Sequence, residues 1–275
     1  MDVGLAGKRA IITGAGGGIG RQTAQLFANA GAAVFINDID ADAIDAARAD
    51  IPGLAGAVTD MGDSAAVTTF FEQAVSHLGG LDILVNNVGS AGPTAPVEEV
   101  GLDEWNACMA VNLTSTFLCI QAAVPHLRAA GGGSIVSMSS VAGIMGGLGP
   151  HAYTAAKHAI IGITKSVASE LARYGIRANC ISPAGMATPM VAATMGDYTD
   201  LETTRKNLAE VSPLKGRAGL PEDVVNAVLF LASDESGYTS GLDLTTDAGM
   251  TIGSNNPLPF AEYEPFMGEA GKRGI

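Results

Sequence analysis

Charged side chains are scarce in this 275-residue chain. Asp, Glu, Lys and Arg make up 16%, against about a quarter in an ordinary globular domain. Beside 47% hydrophobic residues, that shortage implies much buried surface, in a sheet covered on both sides or between subunits. Cations are scarcest: 15 Lys and Arg face 28 Asp and Glu, for a net charge of −13. Such a chain lacks the basic footprint that a nucleic acid or an anionic membrane needs, and fits one that handles small molecules. No uninterrupted apolar stretch reaches the ~18 residues of a membrane span. The first eight residues show no basic region followed by an apolar run, so no secretory signal is visible. Three cysteines, Cys108, Cys119 and Cys180, are odd in number and form no close pair, which reads as reduced thiols in a cytoplasmic protein. His77, His126, His151 and His158 show no metal-ligand spacing, and no metal site is expected. Internal repeats and linkers are also missing, so residues 1–275 read as a single domain.

What is present is alternation. Short apolar runs at 8–13, 32–36, 54–58, 81–85, 134–138, 176–182 and 242–245 predict seven strands. Between them lie helical patterns at 22–30, 40–50, 63–78, 102–130 and 152–174, with two more at 201–211 and 221–232. Pro125 is expected to kink the long fourth helix near its end. Residues 183–200 are rich in Met, Pro and small side chains. The segment 252–275, with Pro257, Pro259 and Pro265, reads as an irregular tail. Nearly all-apolar strands alternating with helices define an α/β fold: a Rossmann-type, doubly wound, seven-stranded parallel sheet with helices on both faces. Ligands of such sheets bind at the carboxyl ends of the strands. Gly14 to Gly20, Asp38, Asp60, Asn86, Ser140 and Pro183 all fall there.

The first strand runs into Thr13-Gly14-Ala15-Gly16-Gly17-Gly18-Ile19-Gly20. Strand, glycine turn and helix form the context of a phosphate-cradling loop, because glycines let the backbone approach a pyrophosphate at a helix N-terminus. A ligand-free hinge is the other reading. Asp38 closes the second strand, 18 residues beyond Gly20. It either accepts hydrogen bonds from an adenosine ribose or caps the next helix. Tyr153 and Lys157 stand at i and i+4, so on a helix they share one face. An ammonium beside a phenol lowers its pKa, and the pair can then exchange protons with an alcohol or carbonyl oxygen. Asn112, amid apolar neighbours, is a core amide or part of a site.

Together these motifs resemble the compact type of short-chain dehydrogenase/reductase, over residues 8–251. Thr13-Gly14 through Gly18-Ile19-Gly20 matches the family's glycine loop, and Asn86-Asn87-Val88-Gly89 resembles its Asn-Asn-Ala-Gly motif. Asn112, Ser140, Tyr153 and Lys157 match its catalytic tetrad. Ser140, 13 residues before Tyr153, has the family spacing and is preferred to Ser139. Pro183-Ala184 and Asp247-Ala248-Gly249 depart from the usual Pro-Gly and Asp-Gly-Gly. The runs 87–89, 151–159 and 234–242 are similar to a plant-type branch that oxidises terpenoid and lignan alcohols such as borneol, xanthoxin and secoisolariciresinol.

The resemblance implies hydride transfer between a secondary alcohol and a nicotinamide, with NAD as cofactor and a homotetramer as assembly. NAD would be held by Gly14, Gly18, Ile19, Gly20, Asp38, Asp60, Met61, Asn87, Gly89, Tyr153, Lys157, Pro183, Met186 and Thr188. Tyr153 would be the acid/base, Lys157 its charge partner and a ribose ligand, Ser140 the anchor of the substrate oxygen, and Asn112 the holder of a water. The substrate pocket is expected between 90–93, 141–151 and 186–195, with Ser90, Val141, Met145, Leu148, His151, Met186 and Met190 in contact. Those stretches carry no Lys or Arg, which favours a bulky, uncharged alcohol or ketone. A reductase of acyl or sugar carbonyls is the alternative enzyme, and a non-catalytic dinucleotide sensor or scaffold the alternative class.

Overall fold

Seven parallel strands form one sheet in the order β3-β2-β1-β4-β5-β6-β7. The computed structural model describes residues 4–194 and 200–253. The strands are β1 (Arg9–Ile12), β2 (Ala33–Asp38), β3 (Ala55–Val58), β4 (Ile83–Asn86), β5 (Gly133–Met138), β6 (Ile176–Pro183) and β7 (Asp243–Thr246). The helices are α1 (Gly18–Asn29), α2 (Ala41–Asp50), α3 (Ser64–Leu78), α4 (Leu102–Met109), α5 (Ser115–Ala129), α6 (His151–Leu171), α7 (Pro189–Thr194), α8 (Leu201–Val211) and α9 (Pro221–Ala232). Each central strand is apolar on both faces because both are covered. Ala10, Ile12, Ile36, Val85 and Val136 pack under α1, α2 and α9 with Phe27, Ile44 and Val228. Their alternating neighbours Ile11, Phe35, Leu84 and Ile135 pack under α3, α5 and α6 with Phe70, Phe71, Ile120 and Leu171. A two-residue side-chain period thus feeds two cores.

Three elements differ from the sequence expectation. Helix α1 begins at Gly18, four residues early, because the glycine loop itself turns into its first turn. The predicted helix over 102–130 is interrupted by a π-helical turn, Ala110–Thr114. There the Ser115 hydroxyl bonds the Val111 carbonyl and the Thr116 hydroxyl bonds that of Asn112 at 3.1 Å, satisfying carbonyls where the helical ladder slips. Helix α7 was not expected in the Met- and Pro-rich stretch; Pro189 at its first position is its only sequence signal. The run Leu102–Ala129 is long and apolar enough to span a membrane, with mean hydropathy 1.6. Its Cys119, Ile120, Ala123 and Leu127 are instead buried in the second core. Met195 and most of the proposed tail, 254–275, lie outside the described residues.

Candidate active site

The glycine loop is shaped by contacts that no larger residue would allow. Gly14 and Gly18 have φ of 61° and 53°, in the region where an L side chain is strained. A Cβ at Gly20 would lie 2.3 Å from the Gly14 carbonyl oxygen and 2.6 Å from Asn87 Nδ2. That crowding is the joint between the first and fourth strand ends: Asn87 Nδ2 donates to the Gly14 carbonyl at 2.8 Å. Thr13 reinforces it, its hydroxyl oxygen accepting the Asn87 N–H at 3.1 Å. Around Gly17 and Gly18, by contrast, a Cβ would meet nothing within 4 Å. The N-terminus of α1 has no side-chain cap and no acid in its first turn. An open backbone over uncapped helical N–H groups is a cradle for a pyrophosphate, so these residues fit a dinucleotide.

Asp38 is not the cap of α2. Its Oδ2 accepts the Gly16 N–H at 2.8 Å, and its Oδ1 accepts Ile39 N–H at 2.8 Å. The cap of α2 is Asp40, which accepts from Asp42 and Ala43. Asp38 therefore braces the glycine loop from the second strand and still lines the cleft above it. That cleft, of about 480 Å³, gathers Gly14, Gly18, Ile19, Asp38, Asp60, Met61, Asn87, Gly89, Ser90, Thr188 and Met190. Among the described residues no Lys or Arg lines it. Arg21, the nearest cation in sequence, is spent on Asp50 and the Ala46 carbonyl of α2. Asp60 Oδ1 turns back onto the Gly62 N–H at 2.8 Å, presenting Met61 beside it.

The catalytic candidates converge between the ends of β4 and β5 and the first turns of α6. Ser140 follows β5; its hydroxyl accepts the Ala142 N–H at 3.2 Å and stands near enough to the Tyr153 phenol to pull its pKa down. Lys157 lies one turn further along α6, its Nζ 5.3 Å from the Tyr153 ring centroid. The ammonium donates to the Met138 carbonyl at 2.9 Å. It also lies 3.4 Å from where a Cβ of Gly89 would be, so the glycine of the Asn-Asn-Val-Gly run keeps that approach open. Asn112 is fully buried at the π turn. Its Oδ1 accepts the Ser90 N–H at 3.2 Å, and its Nδ2 donates to the carbonyls of Ser90 and Cys108 at 3.0 Å. The slipped turn thus aims an amide that ties the loop after β4 to the helix.

Burial sets the electrostatics here. It pushes the Tyr153 phenol above its ordinary value, with the Ser140 hydroxyl working against it. It pulls Lys157 down to about 8. The sequence implies an ammonium that lowers the phenol; in the folded chain desolvation dominates, and the group that opposes it is the Ser140 hydroxyl.

The substrate candidates divide. Ser90 and Met190 line the cleft, while Met145 and Leu148 are each 40% exposed or more, His151 is exposed, and none of these three is among the residues lining it. Val141 and Met186 are buried. Met186 belongs to the wall behind, where its sulfur would sit 2.7 Å from a Cβ of Gly219. Pro183 closes β6, paired with Thr246. Sequence reasoning passed over Asn37, whose Oδ1 accepts the Gly14 N–H at 3.2 Å and whose Nδ2 reaches the Thr59 carbonyl at 2.7 Å. A buried amide beside a strand-end acid was the available signal. Val111, Ile39 and Pro189, which also line the cleft, carried none.

A dinucleotide cradle joined to a Ser-Tyr-Lys cluster on this sheet defines a class of oxidoreductases. The chain belongs to the short-chain dehydrogenase/reductase family: the family profile described as enoyl-(acyl carrier protein) reductase matches residues 14–251. Members of the family typically bind a nicotinamide dinucleotide. The chain is similar to momilactone A synthase of Oryza sativa subsp. japonica, at 40% identity over 90% of this chain and 91% of that one. It is 39% identical to (+)-borneol dehydrogenase 2 of Salvia officinalis, over 90% of each. Among solved structures, levodione reductase superposes with a TM-score of 0.85 at 30% identity, over 90% of this chain and 99% of that one. These relatives support a secondary-alcohol oxidoreductase acting on small molecules.

Proposed function

We propose that this protein is an NAD-dependent dehydrogenase that interconverts a bulky, uncharged secondary alcohol and its ketone. The observation that carries the reading is the Lys157 ammonium 5.3 Å from the Tyr153 ring, with the Ser140 hydroxyl beside the same phenol and lowering its pKa. A nicotinamide in the cleft supplies or accepts the hydride. The glycine loop and the α1 N-terminus hold its pyrophosphate, Asp38 its adenosine ribose, and Lys157 and Thr188 its nicotinamide half. Ser140 orients the substrate oxygen and stabilises charge developing there. Tyr153 gives that oxygen a proton in reduction and takes one in oxidation. Because burial keeps the phenol protonated, reduction suits neutral pH, and alcohol oxidation rises with pH as the phenolate forms. Asn112 acts by fixing Ser90 at the cleft wall.

Met190 in the cleft wall, with the exposed apolar side chains of Met145 and Leu148, favours an alicyclic or terpenoid substrate, in line with the borneol dehydrogenase relative. A cytoplasmic homotetramer is part of the same reading. Phe117 on α5 is 45% exposed, and Gly162 on α6 faces open space, as helices awaiting a partner would present them.

The test is NADH formation across a panel of cyclic and terpenoid alcohols, with NAD and NADP compared by kcat/KM. Asp38 should disfavour a 2′-phosphate, with no cation among the described residues that line the cleft to offset it. Losing hydrogen bonds to a charged group costs about 1.5–3 kcal/mol, so a preference for NAD of roughly 10²-fold or more is expected. Asp38→Ala should narrow that gap. No turnover of any alcohol or ketone would leave a dinucleotide-binding scaffold. Equal kcat/KM for both cofactors would reduce Asp38 to a brace for the loop.

A further inference from the structure

Ser139 has no part in the mechanism above, yet its side chain is committed to the catalytic helix. Its hydroxyl is buried and donates to the main-chain carbonyl of Lys157 at 2.9 Å. From the other end of the same residue, the Lys157 ammonium donates to the Met138 carbonyl at 2.9 Å. Two consecutive residues at the end of β5 therefore grip both the backbone and the side-chain tip of one lysine. Gly143, in the 3₁₀ turn Val141–Gly143, leaves room for the grip. A Cβ there would lie 2.5 Å from Ser139 Oγ and 2.7 Å from the Lys157 carbonyl oxygen.

The Lys157 carbonyl lies inside α6, four residues before Ile161 and far from the helix end at Leu171. An interior helical carbonyl already has the i+4 N–H as its partner. The hydroxyl is thus not needed to satisfy that carbonyl, and removing it orphans no buried acceptor. Its effect is on position: it pins the turn of α6 at Lys157 to the strand end that carries Ser140. Tyr153 stands one turn earlier on the same helix, so its place relative to Ser140 and Lys157 depends on that register.

We propose that Ser139 is a positioning residue, whose clasp on the Lys157 carbonyl, through the gap left by Gly143, sets the register of α6 against β5 and keeps phenol, hydroxyl and ammonium in contact. The inference rests on the assignment of Tyr153 as acid/base. Apart from Lys157 on its own helix, the titratable group acting on the phenol is Cys108 of α4; the variants below alter neither.

Ser139→Ala and Gly143→Ala interrupt the clasp from its two sides. In each, the ionisation of Tyr153 is followed without cofactor by tyrosinate difference absorbance against the matching variant that also carries Tyr153→Phe. The pH dependence of alcohol oxidation and the Tm are recorded beside it. A loosened register moves the ammonium and Ser140 away from the phenol, so both midpoints should rise by about half to one pH unit. The oxidation rate at neutral pH should fall by about threefold to tenfold, since one unit is tenfold. If Ser139→Ala lowers the Tm and leaves both midpoints in place, Ser139 is an ordinary core hydrogen bond and the proposal fails. Should Gly143→Ala not fold, Ser139→Ala decides alone. If the unaltered enzyme oxidises no alcohol while the tyrosinate midpoint moves as expected, the acid/base assignment falls and the positioning role stands.

Discussion

The strand ends of β1 and β2 and those of β5 and β6 meet the same face of the sheet with opposite chemistry. At the first pair there is almost no titratable side chain beyond Asp38. The work is done by backbone N–H groups, and by space where side chains are missing, as at Gly17 and Gly18. At the second pair the backbone is ordinary strand and helix, and ionisable groups are forced out of water: Lys157 is 3% exposed, with its pKa drawn down to about 8. One end should be sensitive to a methyl group and, Asp38 apart, indifferent to charge. The other should respond above all to the loss of a proton or an ammonium.

The largest effect expected from breaking this contrast is Tyr153→Phe. It keeps the ring and removes the proton, so kcat should fall by about 10²-fold or more while NAD still binds, read by steady-state rates and by calorimetric titration of NAD. Activity near that of the unaltered protein would remove Tyr153 from the chemistry. At the other end, Gly20→Ala places a methyl against the Gly14 carbonyl and the Asn87 amide. It should cost about 2–3 kcal/mol of stability in denaturant unfolding, as overpacking does, together with cofactor binding. Gly17→Ala, at an extended backbone position with open space around it, should leave the Tm in place and weaken the cofactor alone. If both alanines behaved alike, the loop's shape would not be set by the Gly14–Asn87 joint.

Lys157→Met sharpens the charge side of the contrast. The lysine's folded pKa lies below its ordinary 10.5, so the folded state binds its proton less well than the unfolded state does. Its burial therefore costs stability below about pH 8, and that cost is relieved as pH rises from about 8 to 10.5. The methionine variant should be inactive, yet more stable at pH 7 by about 2 kcal/mol, with the advantage shrinking above pH 8. A variant less stable at neutral pH would show that the bond to Met138 outweighs desolvation. The smallest effect belongs to the end of β7. Ala248 has φ of 57°, the only positive value for a described residue other than glycine. It stands where the family usually has glycine, in a turn held by Asp247 on the Gly249 and Thr251 N–H groups at 2.8 and 2.7 Å. Ala248→Gly should raise stability by about 1 kcal/mol, measured by urea unfolding.

Much of this contrast was legible before folding. Seven apolar runs gave seven strands because both sheet faces are covered; the glycine loop, Asp38, Tyr153 and Lys157 stood in contexts their chemistry requires, and the family resemblance added Asn112 and Ser140. What could not be read depends on contacts between distant segments. The π turn arises where Ser115 and Thr116 hydroxyls take carbonyls from the ladder, in a sequence whose periodicity suggests one helix through residue 130. Asp38 and Asp40 are two residues apart and chemically identical, so only the fold decides which braces the loop and which caps α2. Met186 read as a substrate contact because it follows the sixth strand, but the chain turns it toward Gly219. Ser139 differs from Ser140 in sequence only by the family spacing to Tyr153, and its bond to the Lys157 carbonyl exists only once α6 packs against their strand.

The strand order also governs how the molecule can be made. β1 lies inside the sheet between β2, which follows it closely, and β4, which does not: Ala10 pairs with Ile83 and Ile12 with Val85. Every lateral pairing is parallel, so none closes through a short hairpin. A chain leaving the ribosome must therefore hold a three-stranded fragment, β1 to β3, with one side of β1 unpaired until residue 86 has emerged. Only then can the Asn87–Gly14 joint form and the glycine loop take its shape. The chemistry comes later still, since Ser140 and Lys157 need β5 and α6 in place. Such long-range closures make folding slow, and the exposed edge of β1 during synthesis is where this chain is most open to misassociation.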